Sequence, residues 1–164
     1  MRPSRVRVLA TGVIAGLIGF GVISLGFLIL DAATGRAIGF TPSLLAASLF
    51  RGVTNACDVH PQAAPILAYS AVHLFVFLVL GWFTTWLFSL TTHRPSFWMA
   101  ALFMFLFVAF HLYGAVLSIL APVSGCFSLY HILGATTTAS LAMIVYLLRK
   151  YRGLSSLVAQ EERQ

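Results

Sequence analysis

Four long runs of apolar residues dominate this sequence, and they restrict its fold more than any other feature. They cover residues 9–30, 66–90, 97–121 and 127–148. A helix of about 20 apolar residues crosses the hydrocarbon layer of a bilayer, where every backbone polar group must bond within the segment. The runs therefore predict an all-α integral membrane bundle of four transmembrane helices, forming a single domain over residues 1–164.

The overall composition agrees with a membrane location. Of the 164 residues, 60% are apolar and 9% are charged, whereas soluble domains average about 25% charged residues. The formal net charge of +6 could suggest a nucleic-acid partner. The basic residues bracket the apolar runs instead of forming a patch, so we expect the lipid bilayer as partner and no nucleic acid.

Most basic residues fall at one set of helix ends. Arg36 and Arg51 belong to the opposite set, and the remaining eight are Arg2, Arg5, Arg7, Arg94, Arg149, Lys150, Arg152 and Arg163. By the positive-inside rule, both termini and the tail 149–164 are predicted to be cytoplasmic. The loop 31–65 is then outside, and a bacterial inner membrane is the predicted location. The first run is too long for a typical signal peptide, so we expect it to remain as an uncleaved helix.

A short helix is predicted within the outer loop, in the stretch "TPSLLAASLFRG". Thr41 could cap it, Pro42 suits its first turn, and Gly52 suits its end. Because it is too short to cross a membrane, we expect this helix to lie on the outer surface or to fold over the mouth of the bundle.

The two cysteines, Cys57 and Cys126, both fall on the predicted outer side. Thiols on that side of an export-facing membrane oxidise readily, so the two could form a disulfide. The alternative is that they remain buried thiols that fill space.

Glycines recur along one face of the first run, at Gly12, Gly16, Gly19 and Gly26. Small residues in a stripe allow another transmembrane helix to approach closely. The stripe could be a packing seam within this chain, or it could be the docking face for another subunit.

Three histidines, His73, His111 and His131, lie inside the apolar runs. Ionisable groups at membrane depth are costly and usually functional. Small or weakly polar residues share the helix faces of His111 and His131, which predicts that the imidazoles point into the bundle near its outer end. The predicted pocket would be lined by Tyr69, Tyr113, Ser118, Tyr130 and Thr138.

These features leave several functions open. The first hypothesis is a non-catalytic accessory or structural subunit of a larger membrane complex, with the glycine stripe as its docking face. The alternative is a redox protein in which the three histidines bind copper or zinc, or clamp a haem iron. A third hypothesis is a small channel or transporter. Histidines can also join helices with no cofactor. No nucleotide-binding loop, zinc-protease helix or serine elbow is present, so the sequence gives no indication of an enzyme.

Overall fold

The computed structural model describes residues 5–52, 59–90, 97–115 and 129–161. Within these ranges the chain is all-helical and contains no strand. The helices are α1 (Arg5–Ala33), α2 (Phe40–Arg51), α3 (Ala63–Leu90), α4 (Phe97–Ala115) and α5 (Leu129–Glu161). The predicted all-α class is therefore confirmed.

Three of these helices are long and apolar enough to cross a bilayer. The segments are Val6–Ala33 in α1, Ala63–Ser89 in α3 and Tyr130–Tyr151 in α5. A shorter apolar stretch, Leu102–His111, lies within α4. Three such helices identify the chain as an integral membrane protein, as its composition predicts.

Helix α1 packs antiparallel against α3 at very short range. A side-chain carbon at Gly12 would lie 2.6 Å from the Cα atom of Trp82, and one at Gly16 would lie 2.6 Å from the carbonyl oxygen of Phe77. Gly81 meets the backbone of the same two α1 glycines. We call this contact of Gly12 and Gly16 with Gly81 the glycine seam. It brings the backbones close enough for dispersion to hold the helices together in lipid.

Helix α5 also runs antiparallel to α1, on another of its faces. A side-chain carbon at Gly26 would lie 3.6 Å from Ala135, and one at Gly19 would lie 2.5 Å from the sulfur of Met143. At the far end, the Tyr151 hydroxyl donates to the Thr85 carbonyl at 3.3 Å. The start of α1 and the ends of α3 and α5 therefore lie at the same end of the bundle.

Helix α2 packs into the bundle instead of lying free on a membrane surface. Its contacts are with α3 and α1, and two of its residues, Leu45 and Ala46, belong to the main hydrophobic core together with Tyr69 of α3. The buried residues of α2 are Phe40, Thr41, Ser43, Leu44, Leu45, Ala46, Ala47 and Ser48. The sequence predicts either a helix on the outer surface or a helix folded over the mouth of the bundle. In the structure, α2 is packed on the bundle.

Asp31, near the end of α1, anchors the start of α2. Its buried carboxylate accepts hydrogen bonds from the Gly39 amide at 3.0 Å, the Thr41 amide at 3.1 Å and the Thr41 hydroxyl at 2.5 Å. The prediction that Thr41 caps α2 is wrong, because the capping position is Gly39 and the carboxylate comes from α1. Gly52, at φ 60°, ends the helix as predicted.

The predicted end of the last apolar run differs from the structure. Helix α5 continues through the exposed basic pair Arg149 and Lys150 to Glu161, beyond the predicted end at residue 148. The basic flank is compatible with helix geometry, so the end of the apolar run does not end the helix. Residues 116–121, predicted to complete the third run, lie outside the described residues.

Candidate functional site

His73 of α3 and His111 of α4 lie next to each other inside the bundle. Their ring centres are 6.1 Å apart, with ring planes at 69°. One helical turn further along, Phe77 of α3 meets Phe107 of α4 at 5.6 Å. Since the contact moves forward along α3 and backward along α4, the two helices are antiparallel here, and the first half of α3 faces the last turns of α4.

Aromatic rings surround both imidazoles. Tyr69, Phe77 and Phe27 have ring centres 5.0, 5.2 and 6.3 Å from that of His73. Phe107, Phe77 and Phe110 lie 4.3, 5.6 and 6.0 Å from that of His111. We call the set Phe27, Tyr69, Phe77, Phe107 and Phe110 the aromatic box. Three helices, α1, α3 and α4, contribute to it.

The hydrogen bonding of the two imidazoles differs. The Nδ1 atom of His111 lies 3.2 Å from the carbonyl oxygen of Phe107. A carbonyl only accepts, so Nδ1 must carry the proton, and the Nε2 atom of neutral His111 keeps a free lone pair. The Nε2 atom of His73 is buried and has no hydrogen-bond partner within the described part of the chain. A buried polar atom without a partner is destabilising and needs an explanation.

The surroundings of the histidine pair hold no described negative charge. The one acidic side chain that the structure describes is that of Asp31, which is bonded to the start of α2. Among the described residues, no group of three or more histidine, cysteine or acidic side chains could hold a metal ion. The site is therefore a pair of imidazoles within the aromatic box, and any ion bound there would receive two nitrogen ligands from the described residues.

The third predicted ligand, His131, does not join this pair. Its side chain lies on the exposed face of α5, as do those of Tyr130 and Thr138. Tyr130 is 82% exposed, and the Thr138 hydroxyl donates to the Gly134 carbonyl of its own helix at 2.8 Å. The predicted convergence of three histidines is therefore corrected to a pair, and Tyr130 and Thr138 do not line its surroundings.

The orientation of α5 explains this correction. A second stripe of small and weakly polar residues runs along the helix at Thr136, Ala139 and Ser140, and it continues into Met143 and Leu147, all of which are buried. Burial of this stripe places the long apolar side chains in the core and turns the His131 stripe outward. The rule that small residues face other helices could not choose between two such stripes.

The remaining predicted site residues have different positions. Tyr69 is buried and belongs to the aromatic box. Tyr113 lies in α4, but its side chain is outside the described part of the structure, as are Ser118 and both members of the candidate disulfide, Cys57 and Cys126.

The predicted glycine stripe lies at contacts within the chain. Gly12 and Gly16 face α3, Gly19 faces Phe77 and Met143, and Gly26 faces Ala135. These contacts within the chain are those of the packing-seam interpretation.

Sequence reasoning did not identify Phe77 and Phe107 as partners of the histidines. The signal was available in their spacing, because Phe77 follows His73 by four residues and His111 follows Phe107 by four, which places each pair on one helix face.

Comparisons of this chain with models of known families, with curated proteins and with solved structures found no match.

Proposed function

We propose that this chain is a four-span protein of the bacterial inner membrane that binds a metal ion between His73 and His111. The observation that carries the proposal is the buried Nε2 atom of His73. It has no hydrogen-bond partner among the described residues, and its ring lies 6.1 Å from that of His111. A shared ion would satisfy this atom and would use the free lone pair of His111. Imidazole nitrogen is a usual ligand for copper, zinc and iron.

The proposed topology has α1, α3, α4 and α5 as the spans, with both termini in the cytoplasm. Its support is the antiparallel contact of α4 with α3, the common end of the bundle at which α1 begins and α5 ends, and the excess of basic residues predicted there. Labelling of single engineered cysteines at positions 4 and 93 with a membrane-impermeant thiol reagent, in a variant without Cys57 and Cys126, tests it. Labelling in intact cells would contradict the cytoplasmic assignment.

The hydrogen bond of His111 to the Phe107 carbonyl is the second support for metal binding. Histidine ligands of metals usually donate their other ring N–H to a carboxylate or a backbone carbonyl, which fixes the tautomer and the ring orientation. His111 has this arrangement, with its Nδ1 atom 3.2 Å from the Phe107 carbonyl oxygen. The ring is thus already oriented with its lone pair on the Nε2 atom.

A single ion suits the histidine pair better than a haem does. A haem iron requires a flat slot between its two imidazole ligands, wide enough for the macrocycle. Here Phe77 lies 5.2 Å from one imidazole and 5.6 Å from the other, so its ring occupies the space beside both.

Metal analysis of the purified protein tests the function. We expect about one equivalent of copper, zinc or iron per chain in the wild-type protein in detergent, and background amounts in His73→Phe and His111→Phe. Phenylalanine retains the ring volume and removes the nitrogen ligands. Background metal in the wild-type protein, after growth with each metal added, would overturn the proposal, and a Soret band would indicate haem instead. The accessory-subunit and channel hypotheses stay predictions.

A further inference from the structure

We infer that the ion bound by His73 and His111 is monovalent copper, held by two nitrogen ligands nearly in line. The inference rests on the metal binding proposed above and adds the charge and coordination number of the ion. Three independent features of the histidine pair lead to it: the separation of the rings, the absence of negative charge among the described neighbours, and the number of ligands.

The ring separation favours two ligands in line. With a metal–nitrogen bond of about 2.0 Å, the centre of an imidazole ring lies about 3.2 Å from the ion. Two rings sharing one ion are then about 5.2 Å apart at the tetrahedral angle and about 6.4 Å apart in line. The observed separation of 6.1 Å is closer to the in-line value. A tetrahedral ion would require the rings to approach by nearly an ångström.

The charge of the site favours a monovalent ion. Both proposed ligands are imidazoles that bind a metal in their neutral form. The one described carboxylate, that of Asp31, accepts hydrogen bonds from the Gly39 and Thr41 amides. The free energy of transferring an ion out of water grows with the square of its charge, so a monovalent ion has about a quarter of the penalty of a divalent ion of the same size. A divalent ion would bring two uncompensated charges into the apolar box.

The ligand count gives the same result. Zinc in proteins takes four ligands, whereas copper(I) is stable with two donors in line. No third histidine, cysteine or acidic side chain among the described residues accompanies the pair. The aromatic box supplies ring faces in place of further donors, with Phe77 and Phe107 next to the imidazoles. Aromatic faces attract a cation that has lost its water.

Competition titrations test the inference on the full-length protein in detergent. Copper(I) is added without oxygen, in the presence of a reductant and a chromogenic copper(I) chelator, and zinc(II) and copper(II) are titrated separately against their own chelators. The variants are His73→Phe and His111→Phe, and His131→Ala is the matched control outside the pair. Helical circular dichroism and the elution volume on gel filtration establish which variants remain folded.

We expect one copper(I) per chain, complete loss of that equivalent in folded His73→Phe or His111→Phe, no change in His131→Ala, and weaker binding of both divalent ions. X-ray absorption should find two nitrogen neighbours around the copper. Equal or tighter histidine-dependent binding of zinc(II) or copper(II), or three or more ligands, would overturn the inference and leave the metal site standing. If no ion binds in a manner that depends on His73 and His111, both proposals fail.

Discussion

The two flanks of α3 are built in opposite ways. On one flank, the glycine seam brings the backbones of α1 and α3 into direct contact, with no space for even one added carbon at Gly12 or Gly16. On the other flank, the aromatic box keeps α3 and α4 apart, and the two helices touch through long rings such as Phe77 and Phe107. The glycine seam depends on close packing of backbone atoms and contains no polar side chain. The aromatic box, in contrast, surrounds two imidazoles.

This difference separates stability from function. Lipid provides no hydrophobic drive for helix association, so close backbone packing is the main way in which such a bundle gains free energy. The glycine seam supplies that packing. On the opposite flank, the buried Nε2 atom of His73 has no partner among the residues that the structure describes, which lowers stability. The metal ion proposed above would satisfy this atom.

The largest effect is expected where the two flanks meet, at Phe77. This side chain is fully buried and lies against the Gly19 position of α1 as well as against both imidazoles. Phe77→Ala should lower the free energy of unfolding by about 3–5 kcal/mol, because it leaves a cavity on both flanks. Reversible unfolding in mixed micelles, followed by circular dichroism, measures it. A decrease in the free energy of unfolding of less than about 1 kcal/mol would contradict the packing of Phe77 between the two flanks.

A substitution confined to the seam should have the next largest effect. A side-chain carbon at Gly81 would lie 2.5 Å from the Gly16 amide nitrogen, and backbone atoms cannot move aside independently. Gly81→Ala should therefore cost about 2–3 kcal/mol in the same unfolding measurement.

The matched control for the seam is Gly21→Ala. It also lies in α1, but no atom of the described residues is within 4 Å of the added carbon. It should be neutral or stabilising by up to about 1 kcal/mol, because alanine favours a helix more than glycine does. Equal effects of the two substitutions would contradict the close contact of α1 with α3.

Loss of the Asp31 carboxylate should release α2 and leave both flanks of α3 intact. Asn retains one acceptor oxygen but places an NH₂ group against the Thr41 and Gly39 donors, so Asp31→Asn should cost about 1–2 kcal/mol. Cleavage by trypsin after Arg36 and Arg51, on either side of α2, should become several times faster. Thr34→Ala removes hydroxyl bonds to the Leu30 and Asp31 backbone carbonyls and leaves the Asp31 carboxylate in place, so it should not change the rate of cleavage.

Much of this fold follows from the sequence, because in a bilayer the length of an apolar run determines a helix almost without competition from other structures. The runs at residues 9–30 and 66–90 correspond to α1 and α3 to within a few residues at each end. The glycine stripe likewise marks a close helix contact, and the structure supplies its partner, α3, with α5 beyond Gly19.

The candidate site was predicted less well, because it depends on how each helix is rotated about its axis. His111 faces α3 and His131 faces outward, although small residues share the face of each. The capping carboxylate of α2 was missed for a related reason, since Asp31 and Thr41 are ten residues apart and meet only because the chain turns between Gly35 and Gly39, both with positive φ.

The smallest effect is expected for His131→Ala. This substitution removes an exposed histidine, whereas His73 and His111 lie inside the bundle, so it tests the effect of burial with the residue type kept the same. The side chain is exposed on α5 close to the start of the apolar segment at Tyr130, where an imidazole can reach the interface. Exposed substitutions away from packing contacts usually change stability by less than about 0.5 kcal/mol. We expect that result in the unfolding measurement, together with unchanged metal content. A loss of bound metal in His131→Ala would mean that α5 can rotate its outward stripe towards His73 and His111, and the site would then be a triad and not a pair.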